Sequence, residues 1–324
     1  SLGTDSGFVV MGKIMDPAYI DVKLIITKFE NNGTLTWCRK KNFTAYSHCD
    51  SLIPCSDGGY MAGYSYLGAP SGYKSSCMSK YNQTGEIEYT NSSYRYDDDI
   101  CHSVTELADG SFLRFGMTRT SSFQIRDALV IKTDVQGNLV WAKTIDTGEG
   151  EEGRYIKETP DGDLLITAYR RVSDDSVILK TDSNCNIIWC KVAGNQIQPR
   201  LTDIHMAGSE YLLTGNRTSN GNLLALRCDL EDELGNCPFQ SNSSVTVEDI
   251  TGSISVNQHS STDDVASWVS EDITHLFTVH SPVFTIQDAC ETQTLTELPT
   301  LQKPGLFLAI ILLGFIVHQV SKNR

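Results

Sequence analysis

The sequence predicts an all-β chain: a β-propeller of about five to six four-stranded blades, then an acidic Ser/Thr-rich segment and a C-terminal hydrophobic helix. Three landmarks sharing one period predict the propeller. The residue after a turn, at Phe8, Tyr60, Phe112, Leu164 and Tyr211, recurs at spacings of 52, 52, 52 and 47. A strand-end aromatic, at Trp37, Tyr89, Trp141 and Trp189, recurs at 52, 52 and 48. Between them stand Lys28, Lys80, Lys132, Lys180 and Arg227, in short runs such as Val-Ile-Lys-Thr-Asp. Self-similarity at a fixed period marks a repeat architecture.

Each repeat reads as four short strands. In the third, strand A is Ser103 to Leu107, strand B Phe112 to Met117, strand C Ala128 to Thr133 and strand D Asn138 to Thr144. Asp109-Gly110 and Gln136-Gly137 are the turns, because glycine accepts positive φ. Ala128-Leu129-Val130-Ile131 is a run suited to a strand buried on both faces. Four strands per repeat of about 50 residues describe a propeller blade, which buries both faces by radial stacking. The strand-end aromatics are expected to pack between blades, and the Asp-Gly and Asn-Gly pairs to form turns. The propeller is assigned to 1–240, with repeats near 1–45, 46–97, 98–148, 149–196 and 197–240. The first repeat lacks a strand A. Either Ser244 to Val256 supplies it, or Ser244 to Asp288 forms a degenerate sixth blade.

The motif Asp134, Gly137, Trp141 is similar to the tryptophan-docking repeat of quinoprotein dehydrogenase propellers. The longer pattern, DGG-Y/F followed by KTD-x-x-G-N-L-x-W, resembles repeats of secreted or surface-anchored propellers, mostly of unknown activity. The resemblance covers roughly residues 5–238 and implies the fold; it implies little about activity, since function lives in sites grafted on folds. The chain departs from the pattern in three ways. The Asp–Gly spacing is one residue shorter, Cys185 stands where the fourth repeat needs the turn glycine, and Tyr89 replaces tryptophan.

From Cys228 to Gln302 there is no Lys or Arg but 13 acidic residues. This shift sets 241–303 apart as an acidic stalk or a closing blade. The tail, 304–324, carries an uncharged stretch of 16 residues from Gly305 to Val320. As a helix it reaches about 24 Å, short of the roughly 30 Å hydrocarbon core. Local thinning and snorkelling of Lys322 would let it span, and Lys322 and Arg324 place the N-terminal side outside. A cleaved lipid-anchor signal or a buried core segment are the rival readings.

The formal net charge of −14 and pI near 4.9 exclude a basic nucleic-acid-binding face. Ten cysteines without a CxxC pair favour disulfides over zinc. Cys49 and Cys101, one period apart, are the inter-blade pair to test. Sequons stand at Asn32, Asn42, Asn82, Asn91, Asn216 and Asn242, with Asn32 and Asn82 in predicted hairpin turns. The chain starts at Ser1, as expected after a cleaved signal or within a longer precursor. The address read from these features is the cell surface or a secretory-pathway membrane, with the propeller lumenal or extracellular.

No catalytic constellation stands out. The histidines His48, His102, His205, His259, His275, His280 and His318 form no HExxH, and there is no GxSxG or phosphate loop. The acidic D-to-A connections, Asp97 to Asp99 and Glu149 to Glu152, gather on one propeller face. Asp98, Asp99, Glu151 and Glu152 are the residues assigned to Ca²⁺, which takes oxygen ligands; a solvated acidic loop is the bland alternative. The expected function is that of a non-enzymatic, glycosylated, membrane-anchored binding or structural scaffold. Its expected partners are a protein or glycan at the acidic face, or further copies in a coat or filament. The alternative is a quinoprotein-like or glycan-processing enzyme with its site in the central channel.

Overall fold

The structure, a computed structural model, describes residues 7–15, 22–43, 47–67, 74–94, 98–119, 126–193, 199–207, 210–217, 223–229, 239–241, 245–249, 255–259, 264–265, 285–287 and 292–294. The tail lies outside these residues. No helix among the described residues is long and apolar enough to cross a membrane.

Among the described residues, antiparallel strands form five blades. Blade 1 holds β1 (Phe8–Met15), β2 (Val22–Phe29) and β3 (Leu35–Phe43). Blade 2 holds β4 (Ser47–Pro54), β5 (Tyr60–Leu67), β6 (Lys74–Tyr81) and β7 (Ile87–Tyr94). Blade 3 holds β8 (Asp99–Glu106), β9 (Phe112–Arg119), β10 (Arg126–Thr133) and β11 (Leu139–Asp146). Blade 4 holds β12 (Glu151–Glu158), β13 (Leu164–Arg170), β14 (Asp175–Thr181) and β15 (Ile187–Ala193). Blade 5 holds β16 (Pro199–Ala207), β17 (Glu210–Arg217) and β18 (Leu223–Asp229). β4 packs on β8, β8 on β12 and β12 on β16, so the first strands of neighbouring blades meet around the axis.

Burial follows the sequence pattern. Ala128, Leu129, Val130 and Ile131 of β10 are each at most 2% exposed. Leu113, Phe115 and Val130 of blade 3 share one apolar cluster with Leu164, Ile166 and Leu179 of blade 4. That seam removes both blade faces from water, which is the main favourable term in folding.

The tryptophan-docking motif has a direct physical reading. In the β10–β11 turn, Asp134 Oδ1 accepts the amides of Gln136 at 3.0 Å and Asn138 at 2.7 Å, and the chain turns through Gly137 at φ +86°. A Cβ at Gly137 would sit 2.7 Å from the Tyr89 ring of blade 2; one at Gly85 would sit 2.7 Å from the Trp37 ring of blade 1. Each aromatic therefore docks on the next blade's bare turn. Trp37 adds a hydrogen bond from Nε1 to the Gln83 carbonyl, 3.1 Å. In blade 4 the turn residue is Cys185, held at φ +64° and buried in the cluster against which Trp141 packs. Asp182 caps that turn through Asn184 and Asn186 as Asp134 does through its own neighbours.

The acidic segment adds a feature absent from the blade repeat. β19 (Phe239–Ser241) pairs with β15, β20 (Thr246–Asp249) with β11, β21 (Ser255–His259) with β7, and β22 (Asp264–Val265) with β3, all antiparallel. The chain thus runs back around the rim from blade 4 to blade 1 and gives each outer strand a partner. An open strand edge is a template for pairing with other chains, and this belt covers four of them. The described parts of the segment Ser244 to Val256 accordingly lie on the outer edges of blades 3 and 2 rather than on the inner edge of blade 1. A final hairpin, β23 (Thr285–Gln287) with β24 (Thr292–Thr294), lies against β18.

Two sequence expectations need correction. Cys38, Cys55, Cys77, Cys101 and Cys185 are free, buried thiols, so the Cys49–Cys101 bridge is not formed. Cys101 packs against Gly63 of β5 and its thiol is directed at the Ser103 carbonyl; burial pushes both Cys77 and Cys101 up to about 12. Asn91 is fully buried and its side-chain amide donates to the Gly137 carbonyl of the next blade, so the folded blade has no room for a glycan there. Of the other sequons, Asn32 is exposed at the β2–β3 turn, and Asn82 caps the β6–β7 turn through Thr84 and Glu86. Asn216 is half-buried on β17, Asn42 lies on β3, and Asn242 falls outside the described residues.

Candidate functional site at the axial mouth

Every complete inner strand breaks register once, at the same place. The irregularity falls between Cys49 and Ser51 in β4, Cys101 and Ser103 in β8, Gly153 and Tyr155 in β12, and Leu201 and Asp203 in β16. The extra residues are Asp50, His102, Arg154 and Thr202, at spacings of 52, 52 and 48. A bulge re-aims a side chain and recurs next to functional sites. Two residues earlier, on the same side of each strand, stand His48, Ile100, Glu152 and Arg200.

These positions interact across blades. His102 Nδ1 lies 3.0 Å from Asp50 Oδ2, with both side chains under a third exposed. Arg154 bonds to Glu152, and it feels the charges of Arg200 and Asp50. Glu152 is held by three guanidiniums: Arg126 at 2.7 Å, Arg154 and Arg171. Burial would raise its carboxyl, but these arginines prevail and hold it below the usual range. Arg200 stacks on the Tyr169 ring, 4.1 Å from its centroid. Burial pushes the His48 imidazole down; Asp50 opposes this, while Lys74, Lys13 and His102 add to it.

Among the described residues Arg126, Arg154, Arg171 and Arg200 thus gather near Asp50 and Glu152, with Asp174 on the Tyr169 hydroxyl. Among the described residues this end of the inner strands therefore holds a cluster of arginines in a chain whose formal charge is −14. His48 and His102 occupy different positions of the repeat: His102 matches Asp50, and His48 matches Ile100.

The four residues assigned to Ca²⁺ do not form one site. Asp98 binds the Lys74 amide at 3.0 Å and Arg119 at 3.3 Å, and Asp99 is buried at the start of β8. Glu151 and Glu152 are neighbours on one strand, so their side chains take opposite faces. Glu152 goes to the arginines. Glu151 lies with Asp127 and Asp146, residues that the sequence reading missed, and one carboxylate oxygen from each falls within 4.8 Å of the others, close enough to share a cation. Burial raises the Glu151 carboxyl.

No family model matches this chain, and no curated protein matches it. Among solved structures it is similar to a GH43_12 protein retrieved from capybara gut metagenome, at 11% identity and a TM-score of 0.34. The match covers 77% of this chain and 66% of the other, a little under two thirds of that protein's length.

Proposed function

We propose that this chain is a membrane-anchored, extracellular or lumenal propeller that binds an anionic ligand at its axial mouth. The observation that supports the reading is the ring of bulged inner-strand residues. Asp50, His102 and Arg154 are three different polar groups at equivalent repeat positions, flanked by Glu152 and Arg200. Blade packing gives no reason for such divergence, whereas a site grafted on a repeat scaffold does. The clustered arginines suit carboxylate, sulfate or phosphate groups, for which guanidinium is the matched donor. The Tyr169–Arg200 stack offers a flat surface beside them. Anchoring rests on the apolar stretch Gly305 to Val320, and the compartment on that tail and the turn sequons Asn32 and Asn82.

An array of neutral and acidic glycans tests this reading. Wild-type protein should retain acidic glycans, less so as salt rises, and Arg154→Ala or Arg200→Ala should lose them. Retention of neutral glycans alone, or of none, overturns the reading. One observation favours a second reading, catalysis at the same ring. The His102–Asp50 contact orients an imidazole by one nitrogen and leaves the other as an acid–base group. Turnover of a glycoside that Asp50→Asn and His102→Gln both abolish would establish it.

A further inference from the structure

Three strand ends meet where blade 3 passes to blade 4. Asp127 comes from the start of β10, Asp146 from the end of β11 and Glu151 from the start of β12. Their carboxylates lie within 4.8 Å of one another. Glu151 is 0% exposed and Asp127 7%, while Asp146 is half-buried and opens the group to solvent. Thr147 and the Glu149 amide both bond to Glu151 Oε1. Glu151 Oε2 is enclosed and has no hydrogen-bond partner among the described residues.

Clustered buried carboxylates repel and lose solvation, so folded proteins pair them or place them on a metal. The nearest guanidiniums give their bonds to other acids, although Arg170 also feels the charge of Glu151. Arg170 holds Asp175 at 2.6 Å and Glu149 at 3.0 Å, and Arg126 holds Glu152. Nor is the trio a by-product of the repeat. The equivalent positions are Ser75, Tyr94 and Asp99 one blade earlier, and Asp175, Gly194 and Pro199 one blade later. All three acids coincide only at this junction.

We propose that Asp127, Asp146 and Glu151 bind one Ca²⁺ ion, which ties β10, β11 and β12 together across the seam of blades 3 and 4. The donors are all oxygen, with no imidazole or thiolate, the set that suits hard cations. Ca²⁺ is favoured over Mg²⁺ because it accepts six to eight ligands in irregular geometry. Here it would take three carboxylates from separate strands, with water or loop carbonyls completing the shell. This site is separate from the arginine-rich mouth, and its test needs no mouth ligand.

The test uses the full-length chain in detergent, stripped with a chelator and titrated with CaCl₂ in a calorimeter, with melting followed in parallel. Wild type should bind Ca²⁺ and melt higher as its concentration rises, because a ligand of the folded state stabilises by mass action. Glu151→Gln and Asp146→Asn should each weaken Ca²⁺ at least about tenfold, while Glu86→Gln, on the opposite face, should not. If Glu151→Gln fails to fold, the half-buried Asp146→Asn decides. Absence of Ca²⁺ binding overturns the proposal, whether or not Mg²⁺ or Mn²⁺ binds. Unchanged Ca²⁺ affinity in the folded variants does so too.

Discussion

On the turn face, equivalent positions hold equivalent residues. Trp37 and Tyr89 lie on Gly85 and Gly137, Trp141 packs in the cluster that holds Cys185, and the Asp109–Lys132 pair of blade 3 recurs as Asp161–Lys180 in blade 4. At the axial mouth the same repeat carries Asp50, His102, Arg154 and Thr202 at one position and His48, Ile100, Glu152 and Arg200 at another. Sameness across blades marks what every seam needs in order to pack. Difference across blades marks positions released from that need and available to a ligand. A repeat protein supplies this contrast from a single chain, because its blades are each other's controls.

The contrast can be broken, and the largest effect is expected on the turn face. Trp37→Ala removes a ring that is 9% exposed, its edge contact with Tyr60 and its bond to Gln83. It should cost about 3–5 kcal/mol in chemical denaturation. A loss below about 1 kcal/mol would remove the docking role. Gly137→Ala comes next. It forces a Cβ at φ +86° into the Tyr89 ring and should cost about 2–4 kcal/mol. The contrast with Cys185, which tolerates a side chain at the same turn, makes this the sharper test of where the ring sits.

Glu152→Gln probes the charge network beside the mouth and should cost about 2–3 kcal/mol, since it leaves three arginines around a neutral amide. The pH dependence has a definite sign. Its folded carboxyl is held below the ordinary value of 4.5, so the stabilisation is present above that pH and disappears as pH falls through the lower folded value. Glu152→Gln should flatten that part of the stability–pH curve. An unchanged acid limb would assign the dependence to other groups. The smallest stability effect is expected at the mouth itself. Asp50→Asn breaks a partly exposed pair with His102 and should cost less than about 1 kcal/mol. A loss as large as that of Trp37→Ala would make Asp50 a packing residue and erase the contrast.

The adjacent carboxylates Glu151 and Glu152 show how far the sequence could be read. Both were legible as an acidic connection following strand D. Their division between a carboxylate trio and an arginine cluster follows from strand alternation, but the partners Asp127, Arg126 and Arg171 arrive from other strands. The inner-strand ring was written in the numbering, at 50, 102, 154 and 202. It could be recognised only once the bulges were seen, because a bulge is a property of paired register. The cysteines misled for a similar reason. Equal spacing of Cys49 and Cys101 places them in neighbouring blades but says nothing of which way each thiol points.

The sequence by itself determined the blade period, the strand order, the capped turns and the docking aromatics. These depend on contacts within one repeat or between one repeat and the next, and such interactions recur wherever the local pattern recurs. Only the tertiary structure decided the axial mouth, the Asp127–Asp146–Glu151 group and the belt over the outer edges. Each joins residues from several blades, or from a segment with no repeat at all, and their meeting is fixed by how the blades stack around the axis.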